Sequence, residues 1–220
     1  MTDAHSNSYT SFDGHRHIAT GSLQANALAV KRALEAGAVG PVLIFDDATG
    51  RSVDVDTRGS DEAVVARLAA AALAEAERSS RRDASEPTGP RGRGRPKLGV
   101  VPREVTLLPR HWEWLAGQPG GASVALRKLV EEARRANGEK DRVRRARERA
   151  YHFMQAIAGD LPGFEDATRA LFANELLRIR DLIAAWPRDV RDHAMRLALG
   201  EELRGSSTDV PTTDIEESNK

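Results

Sequence analysis

A stretch of 24 residues that is nearly free of core-forming side chains divides this sequence of 220 residues. Residues 79–102 are rich in Ser, Arg, Gly and Pro, which is typical of a flexible linker. The chain is therefore predicted to form separate small units on either side of it. Only 40% of the residues are hydrophobic and 5% are aromatic, a composition that suits small helical or α+β units better than one large β-sandwich.

Composition excludes several classes of function. There is no cysteine, so disulfides, thiolate nucleophiles and cysteine-ligated zinc are ruled out. No apolar run approaches the roughly 18 residues that span a bilayer. Residues 1–6 lack the basic and apolar regions of a secretory signal. We therefore expect a soluble, cytoplasmic protein.

The charge is unevenly distributed, although the formal net charge is zero. Residues 1–78 hold 7 basic and 11 acidic residues, and residues 150–220 hold 8 and 13. Residues 79–149 hold 18 basic and 9 acidic residues, a net charge of +9. Because the local charge sets the field that a phosphate backbone meets, this centre favours a nucleic-acid partner. For its last part, residues 140–149, we slightly favour a solvated helix face over a phosphate contact.

Residues 8–78 are predicted to form a small α+β domain with the order ββαββα. Ser8–Phe12 and His15–Ala19 flank the Asp13-Gly14 pair, a hairpin signal. A helix is expected over residues 25–36, with Gly37 beyond its end. Its predicted buried face consists of Leu28, Ala29, Ala33 and Leu34.

The second half of this domain repeats the pattern of strands followed by a helix. Residues 41–45 form an apolar run, and residues 51–56 alternate between apolar and polar side chains, as half-buried strands do. Ser60 is a candidate N-cap for a second Ala-rich helix.

The segment from residue 138 to residue 204 is predicted to be a separate helical domain. Helices are expected at residues 140–158, 165–186 and 188–203, with a break near Asn174. Pro162 and Pro187 mark the ends between them, because proline disfavours helix in the residue before it. Residues 205–220 are predicted to be a disordered tail.

The linker contains the string Gly92-Arg93-Gly94-Arg95-Pro96-Lys97, preceded by Pro90-Arg91. It resembles the AT-hook, which implies that arginines insert along a narrow A·T-rich minor groove while glycine and proline keep the backbone extended. The implied DNA contacts are Arg91, Arg93, Gly94, Arg95, Pro96 and Lys97. The alternative is a solvated linker in an arginine-rich protein.

Residues 103–137 are predicted to form a strand, a helix, a Gly-containing turn and a second helix. The string Arg103–Pro109, the helix 110–116, the break 117–121 and the apolar spacing after Ala122 resemble a ribbon-helix-helix module. The resemblance implies an obligate dimer whose paired strands enter the major groove. It also implies a phosphate clamp at the start of the second helix, at Gly121, Ala122 and Ser123. Trp112, Trp114 and Leu115 are predicted to be core residues.

The register of the predicted ribbon is open. Counting back from Leu108-Pro109 as in the family directs Arg103, Val105 and Leu107 toward the groove, whereas hydrophobicity places Glu104 and Thr106 outside. A slip of one residue exchanges the two faces. Arg103 and Thr106 are therefore both candidate DNA contacts, and phosphate contacts are favoured over base readout.

Four strings also resemble a bacterial family defined as a domain of unknown function, DUF2239. They are residues 41–51, 108–115, 120–127 and 158–165. The resemblance covers nearly the full chain and implies no activity.

Catalysis is not expected. His152, Asp160 and His193 are candidate acid, base or metal-binding residues, but their spacing matches no local metal motif. The string 159–165, with Asp160, Glu165 and the adjacent Asp166, is interpreted as a turn between helices with N-capping acids. No cofactor or metal is predicted.

The sequence thus predicts an α+β multi-domain DNA-binding protein that forms a homodimer and acts as a transcriptional regulator or nucleoid-associated factor. Its DNA is expected to be double-stranded and A·T-rich, and its terminal domains are expected to bind an unknown ligand or protein. The alternative is a non-catalytic, antitoxin-like adaptor whose strand-helix-helix unit serves dimerisation alone.

Overall fold

A computed structural model describes residues 8–84 and 103–200, with side chains described as far as residue 80 in the first range. These residues form an α+β structure that is mostly helical, with one three-stranded antiparallel sheet and seven helices. In chain order the elements are β1 (Tyr9–Asp13), β2 (Arg16–Gly21), α1 (Leu23–Glu35), β3 (Val42–Asp46), α2 (Asp61–Ala84), α3 (Pro109–Ala116), α4 (Gly121–Ile157), α5 (Phe164–Ala173), α6 (Leu176–Leu182) and α7 (Arg188–Leu199).

The chain divides into two compact units, which differ from the predicted serial domains. The terminal unit consists of Met1–Ala70 and Arg142–Lys220, and the central unit is Ala71–Asp141. The segments predicted to be separate N-terminal and C-terminal domains thus belong largely to one unit. The predicted linker and tail lie mostly in residues 85–102 and 201–220, outside the described residues.

The predicted hairpin is present, and its first strand, β1, is the central strand of the sheet. The strand order is β2-β1-β3, with both neighbours of β1 antiparallel to it. Gly14 adopts φ +55° in the turn, a left-handed conformation that glycine tolerates without strain. A bulge between Ser11 and Phe12 shifts the register with β2.

The predicted fourth strand over residues 51–56 is reduced to one isolated bridge between Phe45 and Ser52. Two backbone hydrogen bonds tie this segment to β3: the amide of Asp46 donates to the carbonyl of Arg51 at 3.0 Å, and that of Val53 donates to Ile44 at 2.8 Å. The alternating pattern correctly indicated extended backbone, but pairing ends after the first residues.

Helix α1 buries a different face from the predicted one. Asn26, Ala27 and Val30 are its buried residues, whereas Leu34 is 50% exposed. The Asn26 amide donates to the carbonyls of Tyr9 and Ser22 at 3.0 Å, and to that of Gly21 at 3.3 Å. These bonds fix the rotation of the helix against the hairpin, so a polar residue occupies the buried position.

One apolar core joins the sheet to the C-terminal helices within the terminal unit. The rings of Phe12 and Phe45 lie 5.4 Å and 4.9 Å from the ring of Phe153 on α4, and all three side chains are fully buried. Trp186 is also buried, and its indole nitrogen donates to the carbonyl of Pro162 at 2.8 Å. Aromatic pairs in such tilted and edge-on arrangements add to the burial of their area.

The predicted boundary near residue 138 is not a structural break, because α4 is one continuous helix through Gly138. The break near Asn174 is confirmed. Asn174 adopts φ +63° as the C-cap of α5, and its amide donates to the carbonyl of Leu171 at 3.1 Å. Asparagine is one of the few non-glycine residues that tolerate this conformation.

Candidate nucleic-acid interface

The predicted minor-groove arm lies outside the described residues. This applies to Arg91, Arg93, Gly94, Arg95, Pro96 and Lys97. The other predicted contacts lie in the central unit and are described below.

Residues 103–108, predicted to form the strand of a ribbon, have no regular secondary structure. Arg103 and Thr106 are both exposed in this segment. The segment pairs with no strand of the described sheet, so its backbone lacks the hydrogen bonds that define a strand.

Helix α3 follows at Pro109, and the core assignment of its tryptophans is wrong. Leu115 is 2% exposed as predicted, but Trp112 and Trp114 are 41% and 54% exposed. Trp114 lies about 100° around the helix from Leu115 and so points away from the buried side. Trp112, three residues before Leu115, shares that side and is still partly exposed.

The start of α4 has the backbone geometry of a tight turn into a helix. Gly120 and Gly121 adopt φ +83° and +74°, and the amide of Gly121 donates to the carbonyl of Gln118 at 3.0 Å. Ala122 is partly buried and Ser123 is exposed. The first-turn amides of a helix have no partner within the helix and can receive an anion.

The basic side chains of the central part of α4 are partly neutralised by a neighbouring acid. The Glu131 carboxylate accepts hydrogen bonds from Arg134 at 2.9 Å and from Arg135 at 3.0 Å. Arg134, and then Arg135, hold the pKa of this carboxyl below its usual range. Glu131 thereby reduces the field that these two arginines present.

The positive excess of residues 79–149 falls mainly on either side of the strand-helix-helix segment. Residues 103–141 hold 7 basic and 6 acidic residues, a net charge of only +1. Residues 85–102 hold 4 basic residues and 1 acidic residue, and residues 142–149 hold 5 basic residues and 1 acidic residue. The charge therefore belongs to the sequence of the predicted arm and to the part of α4 in the terminal unit.

An apolar surface is exposed on the central unit. Between residues 103 and 141 the buried hydrophobic residues are Leu115 and Ala125. The large exposed hydrophobic residues there form what we call the central apolar surface: Val105, Leu108, Trp112, Trp114, Leu129 and Val130. Two buried side chains are too few for an independent core, so burial against a further surface would stabilise this segment.

Sequence analysis missed a buried polar cluster in the terminal unit. His193 on α7 is 1% exposed, and its Nε2 lies 3.5 Å from Oδ1 of Asp47. Neither atom has a hydrogen-bond partner within the described residues. The other oxygen of Asp47 accepts a hydrogen bond from Thr10 Oγ1 at 3.1 Å. Burial lowers the pKa of His193 to about 3, with the charges of Arg196 and His17 acting in the same direction.

The spacing of α7 carried a signal for this burial. His193 shares one helix face with Val190, Ala194 and Leu197, all of which are buried. Of the candidate catalytic residues, His152 hydrogen-bonds Arg51 and Asp160 is exposed. Among the described residues there is no group of three or more His, Asp or Glu side chains placed to hold a metal ion.

The chain belongs to a bacterial protein family whose model matches residues 8–198. That family is described as an uncharacterized protein conserved in bacteria, DUF2239. No curated protein and no solved structure matches the chain significantly. Within the described residues, no helix combines the length and apolarity needed to cross a membrane.

Proposed function

We propose that this protein binds double-stranded DNA as a homodimer and regulates transcription or organises the chromosome locally. The observation that carries the proposal is the net charge of +9 over residues 79–149, in a chain whose total charge is zero. Contacts with phosphates supply most of the affinity of sequence-independent DNA binding.

In this proposal, the arginine arm gives the protein a preference for A·T-rich duplexes. Arg93 and Arg95 are the arginines of the AT-hook-like string. A narrow A·T minor groove has a strong negative potential that favours inserted arginines. Replacing both residues by alanine is expected to reduce affinity for an A·T-rich duplex more than affinity for a G·C-rich duplex.

The matched control for the arm is Arg180→Ala paired with Arg178→Ala on α6, which removes two exposed basic residues from a different place. Competition of labelled A·T-rich duplex by unlabelled duplexes of each composition measures the preference. Equal loss for both compositions, or no loss, would show that the arm does not read the minor groove.

The homodimer is supported by the central apolar surface. A second copy would cover Trp112, Trp114 and Val130, which are 41%, 54% and 65% exposed, and would provide the strand that residues 103–108 require. We expect Val130→Asp to convert the protein to a monomer in sedimentation. Leu177→Asp, at an 80% exposed position on α6, serves as the control and should leave the dimer intact. A monomeric wild-type protein at micromolar concentration would contradict this part of the proposal.

The adaptor function is the second candidate, because residues 103–141 combine a nearly neutral charge with that exposed apolar surface. It predicts a dimer whose affinity for duplex DNA is negligible at physiological salt. The two functions are thus separated by DNA binding and not by oligomeric state.

A further inference from the structure

Two arginines and a histidine of α4 in the terminal unit lie along one side of the helix. Arg145, Arg149 and His152 are spaced at i, i+4 and i+7, which brings their side chains to one face. Arg149 is engaged in the fold, since its Nε donates to the carbonyl of Leu197 at 2.8 Å. Arg145 is exposed and forms no ion pair within the part of the chain that the structure describes.

A close approach of backbone brings the turn after β3 to this face of α4. A Cβ atom added to Gly50 would lie 1.8 Å from the carbonyl oxygen of Arg149, so only glycine fits there. Gly50 also adopts φ +68°, which disfavours any other residue. The following residue, Arg51, then reaches His152, and its Nη2 lies 3.0 Å from the imidazole Nε2.

The hydrogen bond between Arg51 and His152 leaves the guanidinium charge uncompensated. An arginine has no acceptor, so the imidazole must be neutral and must accept at Nε2. Burial lowers the pKa of His152, and the charge of Arg51 lowers it further, while Glu148 raises it.

The Asp46 carboxylate, at the start of the turn after β3, already accepts hydrogen bonds from within the turn. Asp46 Oδ1 accepts from the amide of Ala48 at 2.9 Å, and its Oδ2 accepts from Thr49 Oγ1 at 3.1 Å. The charges that act on the His152 imidazole are those of Arg51 and Glu148, and Arg145 lies two turns before His152 on the same side of α4. The balance of charge favours an anion.

We propose that Arg51, Arg145 and His152 form a phosphate-binding site that contacts the backbone of duplex DNA. This inference rests on the proposed function and adds contacts from the terminal unit to those of the arm and the central unit. The guanidinium group suits the role because it can donate two parallel hydrogen bonds to phosphate oxygens. His152 adds a further donor, the Nδ1–H that its neutral form carries while Nε2 accepts from Arg51.

The test compares the salt dependence of duplex binding for Arg51→Gln and Arg145→Gln with that of Arg180→Gln. The control removes the same charge from an exposed position on α6. Each lost phosphate contact is expected to reduce the slope of log affinity against log salt by about 0.9, uniformly across duplex sequences. The control should leave the slope at its wild-type value.

A second measurement does not depend on DNA binding. The imidazole signal of His152 is titrated by NMR with and without inorganic phosphate, in the full chain and in Arg51→Gln. The proposed site predicts that phosphate raises the pKa of His152 in the wild type and has a smaller effect in the variant. Because Arg51 repels the proton, its removal alone should raise the pKa.

The outcomes separate the two proposals. If the wild type binds duplex but both variants keep the wild-type slope, the phosphate site is overturned and the proposed function stands. If the wild type does not bind duplex, the proposed function fails. In that case a His152 titration that is unchanged by phosphate also overturns the site, whereas a shift that requires Arg51 shows a site for free phosphate.

Discussion

Acid sensitivity is the most direct consequence of the buried polar cluster. His193 is 1% exposed and its pKa is lowered to about 3 from an ordinary value of 6.5. Below pH 6.5 the unfolded chain takes up a proton at this residue and the folded chain does not. The stabilisation is therefore complete above that pH and is lost as the pH falls toward the folded pKa.

The size of the effect follows from linkage between proton binding and folding. Each pH unit in this window changes the free energy of unfolding by up to about 1.4 kcal/mol, so the loss near pH 5 is about 2 kcal/mol. The neighbouring Asp47 acts in the opposite direction, because burial raises the pKa of its carboxyl. Its folded form takes up a proton more readily than its unfolded form, and acidification then stabilises the fold.

Replacing His193 by leucine removes the contribution of the histidine to the pH dependence of stability and leaves the contribution of Asp47. Urea unfolding is measured from about pH 7.5 to about pH 5. Over this range the free energy of unfolding of the wild type should fall by about 2 kcal/mol relative to that of His193→Leu. Trp186 fluorescence reports on the terminal unit once Trp112 and Trp114 are replaced by phenylalanine. Substitution of the exposed His111 serves as the control and should leave the wild-type pH dependence unchanged. Parallel pH profiles for His193→Leu and the wild type would refute the reasoning.

Three further substitutions test how the terminal unit is held together. Phe153→Ala removes the ring between Phe12 and Phe45 and should lower the free energy of unfolding by about 3–5 kcal/mol in urea titrations; a loss below about 1 kcal/mol would contradict the shared core. Gly50→Ala should lower the Tm more than Gly14→Ala, because both have positive φ but only the first places a Cβ against backbone; equal shifts would contradict the close approach. Asn26→Leu removes the side-chain hydrogen bonds to the carbonyls of Tyr9, Gly21 and Ser22 and should cost about 1–3 kcal/mol by the same urea assay, so an unchanged stability would contradict those bonds.

Local chemistry made several elements predictable. The Asp13-Gly14 pair marked the hairpin, Gly37 marked the end of α1 with φ +83°, and Asn174 marked the break between α5 and α6. Ser60 was predicted as an N-cap, and its Oγ accepts from the amide of Ala63 at 3.3 Å. Each of these signals depends on a few neighbouring residues, which is why sequence alone reveals it.

Contacts between distant parts of the chain were not predictable in the same way. Phe153 packs on Phe12 and Phe45 from more than 100 positions away, and no local pattern encodes that pairing. For the same reason Asp47 and His193 appeared unrelated in sequence. The exposure of α3 was missed because Trp112 and Trp114 were assigned by residue type, although helix geometry turns Trp114 away from Leu115.

The charge of the candidate interface could be predicted from the sequence, but the arrangement of its side chains could not. The excess of basic residues in residues 79–149 is a property of the sequence. The way that Glu131 neutralises Arg134 and Arg135, and the way that Arg51 joins α4, depend on the folded chain. The arm itself lies outside the described residues and stays a prediction.

Duplex binding by the full-length protein as a function of salt tests the central claim most directly. Fluorescence anisotropy with a labelled A·T-rich duplex should show affinity that falls linearly on logarithmic axes between about 50 mM and 200 mM salt, with a slope of about −0.9 for each phosphate neutralised. A protein that uses both arm arginines and the phosphate site on α4 should give a slope steeper than about −3. Binding that is absent at the lowest salt, or that does not change with salt, would contradict the account.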